Sequence, residues 1–370
     1  MALSMSSELS QNRSVVLGLP LDAVSLGEAI AIIDGALAAR RRLFISTPNA
    51  SFYTNSRNSE AFRNSLFASD LCLADGAPVL WLASLMGVSL PGRVAGSDLF
   101  EALSVRKLEK PIRAYFFGGG EGVARAACRR VNATSQGITC VGAHYPGFGN
   151  VADMSNADTI SKINRSGADL LVVAIGLVRG QEWIMRNRER IKIPVVAYLG
   201  AVINFEAGRV ARAPSTLRKF GLEWLWRVKE EPTLAVRYAA DLWSLMRLLF
   251  LGVVPHMVHS IIRGKSRTVG RDGVITTDWS GERARLAIIG RVDGASTLEL
   301  RAAFLKALAT GKSVTLACDQ LSSIKPVALG QIALLWKALQ ERGRDLEITG
   351  LRGYPLWLVK ISGFGAVVRP

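Results

Sequence analysis

Polar residues that could take part in catalysis follow short apolar runs in the first 215 residues. Asp75 comes directly after the apolar run 71–74 and precedes a glycine, so its carboxylate could reach a substrate and accept a proton. An Asp-Gly pair is also a common turn signal, and the local pattern by itself favours a turn. Thr47 and Asn49 flank a proline after another apolar run. They supply hydrogen-bonding groups for a ligand, or they form a turn that caps the following helix.

A glycine cluster is a candidate site for phosphate groups. Gly118, Gly119 and Gly120 follow the apolar run 114–117 and precede an amphipathic stretch. Glycines let the backbone approach a diphosphate, and the N-terminus of the following helix favours an anion. Val123 occupies the last position of a strict GxGxxG pattern, and the region about 20 residues further on lacks an acidic residue for a ribose. The pattern therefore favours a diphosphate loop over a dinucleotide site.

Gln181 and Glu182 follow the apolar run 170–175. Gln181 is a candidate ligand for a donor substrate, and Glu182 is placed beside it. The alternative is that both residues cap or solvate the helix that begins there.

Three arginines are candidates for binding a diphosphate: Arg93, Arg227 and Arg237. Guanidinium groups bind phosphate oxygens in pairs of hydrogen bonds and can neutralise a leaving group. The sequence contains no Asp-x-Asp pair for a divalent metal, so we predict a site without metal or cofactor in which arginines take that role. The alternative is that they are solvated surface residues, which pair only weakly.

The elements that must position these residues alternate between short apolar runs and amphipathic stretches. This alternation predicts an α/β fold with a parallel, Rossmann-like sheet. The predicted strands are residues 43–46, 71–74, 114–117, 170–175 and 195–199. Ligands bind beyond the carboxyl ends of such strands, so we expect the candidate residues to converge on one crevice.

An ordered set of short motifs spans about residues 15–240. It comprises Thr47-Pro48-Asn49, Asp75-Gly76, Arg93 with Gly96-Ser97-Asp98, Gly118-Gly119-Gly120, Gly180-Gln181-Glu182, Gly208, Pro214, Glu223-Trp224-Leu225-Trp226-Arg227 and Glu231-Pro232. This set resembles the WecG/TagA/CpsF glycosyltransferase family. The chain departs from the family in the segment 176–182, which lacks a proline and has one extra residue, and at Leu234, which replaces an arginine.

The resemblance implies an inverting transfer of sugar from a UDP-sugar to a polyprenyl-diphosphate-linked saccharide, in synthesis of a cell-surface polysaccharide or exopolysaccharide. It implies that Asp75 is the general base and that Thr47 and Asn49 line the sugar and acceptor pocket. It also places arginines of a C-terminal appendage, here Arg227 and Arg237, on the diphosphate. The donor could carry N-acetylmannosamine, its uronic acid or glucose.

Residues 216–268 form the predicted appendage, in which tryptophans alternate with arginines and lysines. The run 248–262 is mostly apolar, but it is shorter than the roughly 20 residues of a spanning helix. Pro255, His256 and His259 also interrupt it. We expect a helix in the membrane interface, with a buried helix as the alternative.

Residues 274–370 form a separate pattern of strands and helices that resembles a STAS domain. Phosphorylation-switched STAS domains carry a hydroxyl residue after the second strand, where this chain has residues 325–328 without one. We therefore expect no such switch. The domain would instead bind a partner in polysaccharide assembly or a second copy of the chain.

Composition limits the remaining classes. A net charge of +16 and a pI near 10.2 predict an anionic partner. A nucleic-acid binder is an alternative, but recognised motifs are missing and the basic residues lie among apolar ones, as suits an anionic membrane. A STAS-type regulatory adaptor without catalysis is a further alternative.

The cysteines and the N-terminus bear on location. The four cysteines are widely spaced in apolar stretches and are predicted to be reduced, and three histidines without a cluster argue against a zinc site.

Residues 1–14 lack an apolar core for a signal peptide and are predicted to be a disordered tail. The predicted domains are then 15–215 for catalysis, 216–268 for membrane binding and 274–370. We expect a cytoplasmic protein, peripheral at the inner face of the membrane.

Overall fold

The computed structural model describes residues 9, 11–211, 213, 214, 217, 223–232, 234–265, 273–294 and 296–369. These residues form two compact units. The large unit comprises Val24–Leu80 and Pro91–Trp243, and the terminal unit comprises Met1–Ala23, Trp81–Leu90 and Ser244–Pro370. Most of the predicted tail and part of the predicted appendage lie outside the described residues.

The large unit is built on a six-stranded parallel sheet. Its strands are β3 (Leu43–Ser46), β4 (Leu71–Cys72), β5 (Ile112–Gly118), β6 (Ile138–His144), β7 (Leu170–Ala174) and β8 (Val195–Tyr198). Their order across the sheet is β4-β3-β8-β7-β5-β6. The central strand β7 is buried throughout and β8 at all residues but Val196, because a parallel sheet is covered by helices on both faces. The predicted α/β fold with a parallel sheet is confirmed.

Helices alternate with these strands and cover the sheet. They are α1 (Leu26–Ala38), α2 (Ala50–Asn58), α3 (Glu60–Phe67), α4 (Ala77–Leu85), α5 (Gly96–Ser104), α6 (Val123–Thr134), α7 (Ala157–Arg165), α8 (Leu177–Asn187) and α9 (Val202–Glu206). The apolar side chains of the strands and of α1, α5 and α6 form one continuous core. This rigid core fixes the loops that follow the strands at the carboxyl edge of the sheet.

The prediction that all four cysteines are reduced is wrong for two of them. Cys128 on α6 and Cys140 on β6 form a disulfide, with Cα atoms 5.2 Å apart. Helix α6 folds back on the strand that follows it, so side chains 12 residues apart in sequence meet. Spacing along the chain did not show this proximity. Cys72 and Cys318 are free and buried, as predicted.

The terminal unit contains the STAS-like segment. Strands β9 (Val274–Asp278), β10 (Ala284–Val292), β11 (Val314–Ile324) and β12 (Leu346–Thr349) form a sheet of order β12-β11-β10-β9. Strand β9 pairs antiparallel with β10, and the other pairs are parallel. The helices of this segment are α13 (Thr297–Ala309), α14 (Pro326–Gln340) and α15 (Gly353–Val359). The predicted second, small α/β domain is confirmed.

The N-terminal hairpin packs inside the same terminal unit. Strands β1 (Arg13–Val16) and β2 (Leu19–Asp22) pair antiparallel, and β1 lies against α14. Arg13 donates from Nε and a terminal nitrogen to both carboxylate oxygens of Asp22, at 2.9 and 2.8 Å, and neither side chain is exposed to solvent beyond 1%. The sequence placed residues 13–22 in the tail and the catalytic domain, whereas here they complete the core around α14.

Close contact between the hairpin and α14 depends on Gly330. A Cβ at that position would overlap the main-chain carbonyl of Arg13. Helix α14 is therefore buried along nearly its whole circumference, including the polar side chain of Gln331, whose amide donates to the carbonyl of Gln11 at 3.2 Å.

One long helical segment begins in the large unit and ends in the terminal unit. Helix α11 (Leu234–Leu248) continues through a π-turn (Leu249–Val253) into α12 (Val254–Lys265), after a short helix α10 (Glu223–Glu230). The stretch Leu234–Ile262 has 29 residues and contains an 18-residue window with a mean hydropathy of 1.6, which by length and composition alone would suffice to cross a membrane. Pro255 lies within this continuous helical stretch, as the second residue of α12.

Replacing Gly330 by valine should destabilise the terminal unit by about 1–3 kcal/mol, because the new side chain must displace the backbone of the hairpin. Thermal or denaturant unfolding measures this change. Gly365→Ala is the matched control, since a Cβ at this exposed glycine of the same unit meets no atom within 4 Å. Equal unfolding midpoints for Gly330→Val and the wild type would contradict the packing described.

Candidate active site

Asp75 lies at the carboxyl edge of the sheet, in the loop that follows β4. This loop is hydrogen-bonded to the loop that follows β3. The N–H of Asp75 donates to the carbonyl of Pro48 at 2.8 Å, so the loops after β3 and β4 are joined. Gly76, with φ of +95°, then turns the chain into α4. The half-buried carboxylate is thus held on a fixed backbone, as the sequence predicted for a residue at a strand end.

Arg93 is the charged partner of this region. Its guanidinium donates to Asp98 on α5 at 2.7 Å and to Glu223 on α10 at 2.9 Å. All three side chains are mostly buried, with exposures of 18–21%. The pair with Glu223 therefore fixes the start of the appendage beside the loop that carries Arg93.

The surroundings of Asp75 raise its pKa to about 7. Burial of the carboxyl group is the largest cause, and the positive charges of Arg93 and Arg227 oppose it, while Glu223 and Asp98 add to it. A carboxyl group with a pKa near neutral pH can accept a proton and release it again, which is the property of an effective general base.

Arg227 lies on α10 and Arg237 on α11. Arg227 is half-buried and close enough to Asp75 and to the Tyr198 phenol to act on both electrostatically. Arg237 is exposed, lies 5.1 Å from the ring centroid of Tyr238, and also acts on Tyr198. The structure therefore brings both appendage arginines to the region that contains Asp75 and Arg93.

Helix α11 has a second attachment to the body of the large unit. The buried carboxylate of Asp241 accepts hydrogen bonds from the hydroxyl groups of Ser51 and Thr54 on α2, the latter at 2.8 Å. Asp241 lies one helical turn after Arg237, so this contact fixes the helix turn that carries the arginine. An acidic residue in an otherwise apolar and basic helix was the sequence signal for it.

The glycine cluster forms the turn from β5 to α6, as predicted. Gly118 has φ of +123°, and a Cβ there would overlap the carbonyl of Ala174 at the end of β7. Gly119 has φ of +72° and donates from its N–H to the same carbonyl at 2.9 Å. Gly120 is half-buried and accepts from Val123. Close packing against β7 explains Gly118, and the predicted diphosphate contact of the loop stays a prediction.

Thr47 and Asn49 both take part in local structure. Thr47 is buried, and its hydroxyl donates to the carbonyl of Tyr198 at 3.5 Å. The side-chain oxygen of Asn49 accepts from the N–H of Ser51 at 3.1 Å and caps α2. The Asn49 contact corresponds to the helix-capping alternative, whereas the Thr47 contact joins the loop after β3 to β8. A direct contact of either residue with substrate stays a prediction.

Gln181 lies inside the protein and away from the crevice surface. Its amide donates to Ser46 at 2.9 Å and accepts from Ser65 at 3.2 Å, and the residue has no exposed surface. It lies within α8 together with Glu182, which is exposed. The structure gives Gln181 the role of a buried link between β3, α3 and α8, which the sequence interpretation as a donor ligand did not anticipate.

Comparisons with known proteins agree with this arrangement. Residues 14–256 match the family described as "Glycosyl transferase WecG/TagA/CpsF family". The chain belongs to this glycosyltransferase family. Residues 275–369 match the family described as "Mlab, STAS domain". The resemblances found in the sequence are confirmed, and the protein is a glycosyltransferase with a STAS-like domain.

Two relatives of this glycosyltransferase carry the same name, N-acetylglucosaminyldiphosphoundecaprenol N-acetyl-beta-D-mannosaminyltransferase. The protein from Bacillus spizizenii is 30% identical over 189 residues, which cover 51% of this chain and 72% of the relative. The protein from Staphylococcus aureus is 23% identical over 215 residues, which cover 57% and 82%. A solved complex of SsGBP with GDP aligns at 13% identity with a TM-score of 0.21, a likeness too small to carry an argument.

In the part of the chain that the structure describes, no group of three or more His, Cys, Asp or Glu side chains is placed to hold a metal ion. Three residues near Asp75 had no role assigned to them from the sequence. Asp98 and Glu223 stood in the matched motifs without a role assigned, and Tyr198 at the end of β8 carried no signal apart from its position after an apolar run.

Glu223→Gln should shift the acid limb of the pH–rate profile of the glycosyltransferase to lower pH. The negative charge of Glu223 raises the pKa of Asp75, so its removal lowers that pKa. Initial rates of sugar transfer across pH 5–9 measure the shift. Glu230→Gln is the control, because this exposed residue ends the same helix. A shift to higher pH, or equal shifts in both variants, would contradict the electrostatic arrangement.

Proposed function

We propose that this protein transfers a sugar from a UDP-sugar to a polyprenyl-diphosphate-linked saccharide, by direct displacement with inversion at the anomeric carbon and without a metal ion. The observation that carries the proposal is Asp75, a half-buried carboxyl group with a pKa of about 7 that lies among Arg93 and Arg227. A single base near neutral pH beside fixed cations fits a one-step displacement with an anionic leaving group.

In this reaction the acceptor hydroxyl attacks the anomeric carbon of the donor while its proton passes to Asp75. The new bond joins the acceptor oxygen to the anomeric carbon, and the bond between that carbon and the diphosphate oxygen breaks. UDP leaves with the electron pair, and Arg227 and Arg237 offset the negative charge that develops on it. The protonated Asp75 then returns its proton to water.

The names of the relatives suggest the chemistry of both substrates. Those proteins attach N-acetylmannosamine to N-acetylglucosaminyldiphosphoundecaprenol. A donor with an N-acetylmannosaminyl group and an acceptor with a GlcNAc-diphosphate-lipid are therefore the first pair to test here. Products of this kind serve in the synthesis of cell-surface polysaccharide, including exopolysaccharide.

A lipid-linked acceptor requires the protein to reach a membrane, and we place it at the cytoplasmic face. The π-turn and α12 expose one apolar face that includes Phe250, Val258, Ile261 and others, each at least half exposed. The opposite face packs within the terminal unit, where His256 hydrogen-bonds the Tyr354 hydroxyl. A helix covered by protein on one side and apolar on the other suits the interface of an anionic bilayer better than a span.

The STAS-like segment is proposed to bind through surface other than α14. That helix is already covered within the terminal unit, whereas Leu298 on α13 is 73% exposed. A partner in polysaccharide assembly or a second copy of the chain could bind there. Mixing tagged and untagged protein and measuring co-purification would test the homo-oligomer.

Asp75→Asn should lower the rate of sugar transfer by about 10²–10⁴-fold, because the amide cannot accept the proton of the acceptor hydroxyl. The assay offers UDP-N-acetylmannosamine, its uronic acid and UDP-glucose in turn, with a short polyprenyl-diphosphate-GlcNAc acceptor, in buffer containing EDTA. Wild-type protein that transfers none of these sugars would refute the proposed function.

The Asp75→Asn variant also tests how the free energy of unfolding depends on pH. Because the folded-state pKa is raised, folded protein binds more protons than unfolded protein between about pH 4 and 7, and stability falls as pH rises through that window. Asp75→Asn should remove this part of the pH dependence. Denaturant unfolding at several pH values measures it, and an undiminished pH dependence in Asp75→Asn would show that the carboxyl group is not buried as described.

The double variant Val258→Glu/Ile261→Glu should lose salt-sensitive co-sedimentation with phosphatidylglycerol vesicles while it still binds UDP. Two charges on the exposed face oppose insertion among lipids. Leu298→Glu, at an exposed residue of the STAS-like segment, is the control. Sedimentation that is equal for the double variant and the wild type would reject the membrane face.

A further inference from the structure

Tyr198 lies at the carboxyl end of β8, a central strand of the sheet, and its side chain packs closely against two glycines. A Cβ on Gly180 would lie 2.6 Å from its ring, and a Cβ on Gly200 would lie 2.7 Å from its hydroxyl oxygen. The ring also lies edge-on to Phe52, with centroids 6.2 Å apart. Two glycines and an aromatic neighbour therefore fix the direction of the phenol.

The phenol lies beside Gly200, just past the end of β8, and within electrostatic range of the appendage arginines. The positive charges of Arg237 and Arg227 both act on it, and Arg227 acts on Asp75 as well. Burial nevertheless raises the pKa of Tyr198 above its usual value. The hydroxyl therefore stays protonated at neutral pH and can donate a hydrogen bond.

The main chain of the same residue belongs to the active-site edge. The carbonyl of Tyr198 accepts from the hydroxyl of Thr47, at the end of the neighbouring strand β3. Tyr198 thus contacts the loop of Thr47 and lies within electrostatic range of both arginines, so its neutral donor can add to two cations. Such a set of donors matches the oxygens of a diphosphate.

We propose that the Tyr198 hydroxyl donates a hydrogen bond to a diphosphate oxygen of a substrate, together with Arg227 and Arg237. The inference rests on the proposed function and adds a residue to its site. The diphosphate could be that of the nucleotide donor or that of the lipid-linked acceptor, since both present the same oxygens.

Tyr198→Phe tests this assignment, because it removes the hydroxyl and keeps the ring that packs against the two glycines. Two measurements distinguish the sources of the diphosphate: the Kd for UDP by calorimetry, and the KM for a short polyprenyl-diphosphate-GlcNAc acceptor. We expect about a tenfold weakening in one of them, as is typical for a lost hydrogen bond to a charged group. A higher Kd for UDP assigns the donor diphosphate, and a higher acceptor KM assigns the lipid diphosphate.

Tyr115→Phe is the matched control. Tyr115 lies on β5 of the same sheet, its ring packs over Gly142, and burial raises its pKa without a contribution from the appendage arginines. If Tyr198→Phe and Tyr115→Phe both bind the two probes as the wild type does, the tyrosine assignment is overturned while the proposed function stands. If wild-type protein binds neither probe, the proposed function fails and the assignment fails with it.

Discussion

The active site depends on the guanidinium group of Arg93. It binds Asp98 and Glu223 at once, and it partly offsets the burial of Asp75. Arginine suits this position because its planar fork can donate to two carboxylates in fixed directions and it keeps its charge at any physiological pH. The same residue thereby connects the loop before α5, the appendage helix α10 and the base.

Burial of the carboxyl group explains how Asp75 can serve as a base in this site. Burial raises the pKa of Asp75 more than the charges of Arg93 and Arg227 lower it, and Glu223 and Asp98 add to the rise, so these surroundings favour the neutral form. Accepting the proton of the acceptor hydroxyl converts Asp75 into that favoured form. The environment that raises its pKa therefore also stabilises the state in which the new glycosidic bond has formed.

Sequence patterns predicted the parts of the fold that are marked by local composition, such as apolar runs and glycines at turns. Buried parallel strands such as β3 and β7 are continuous apolar runs, and Gly118 marks the turn after β5 because only a glycine fits against β7. Contacts between distant segments left no such mark. The disulfide of Cys128 and the link from Gln181 to Ser46 are set by tertiary packing. Asp75 and Arg93 could be named as site residues from the sequence. Tyr198 could not, because its position depends on its packing against Gly180 and Gly200.

The hairpin of residues 13–22 has a consequence for the synthesis of the chain. It emerges from the ribosome well before the helix against which it packs, because Pro326–Gln340 follows more than 300 residues later. At roughly 5–20 residues per second, the hairpin waits on the order of tens of seconds for its partner. Arg13 and Asp22 form a buried ion pair in the folded protein. Until Pro326–Gln340 is made, both side chains are exposed to water, where such a pair is weak. The hairpin therefore reaches its folded position only after Pro326–Gln340 has been made, and the core of the terminal unit cannot close before then.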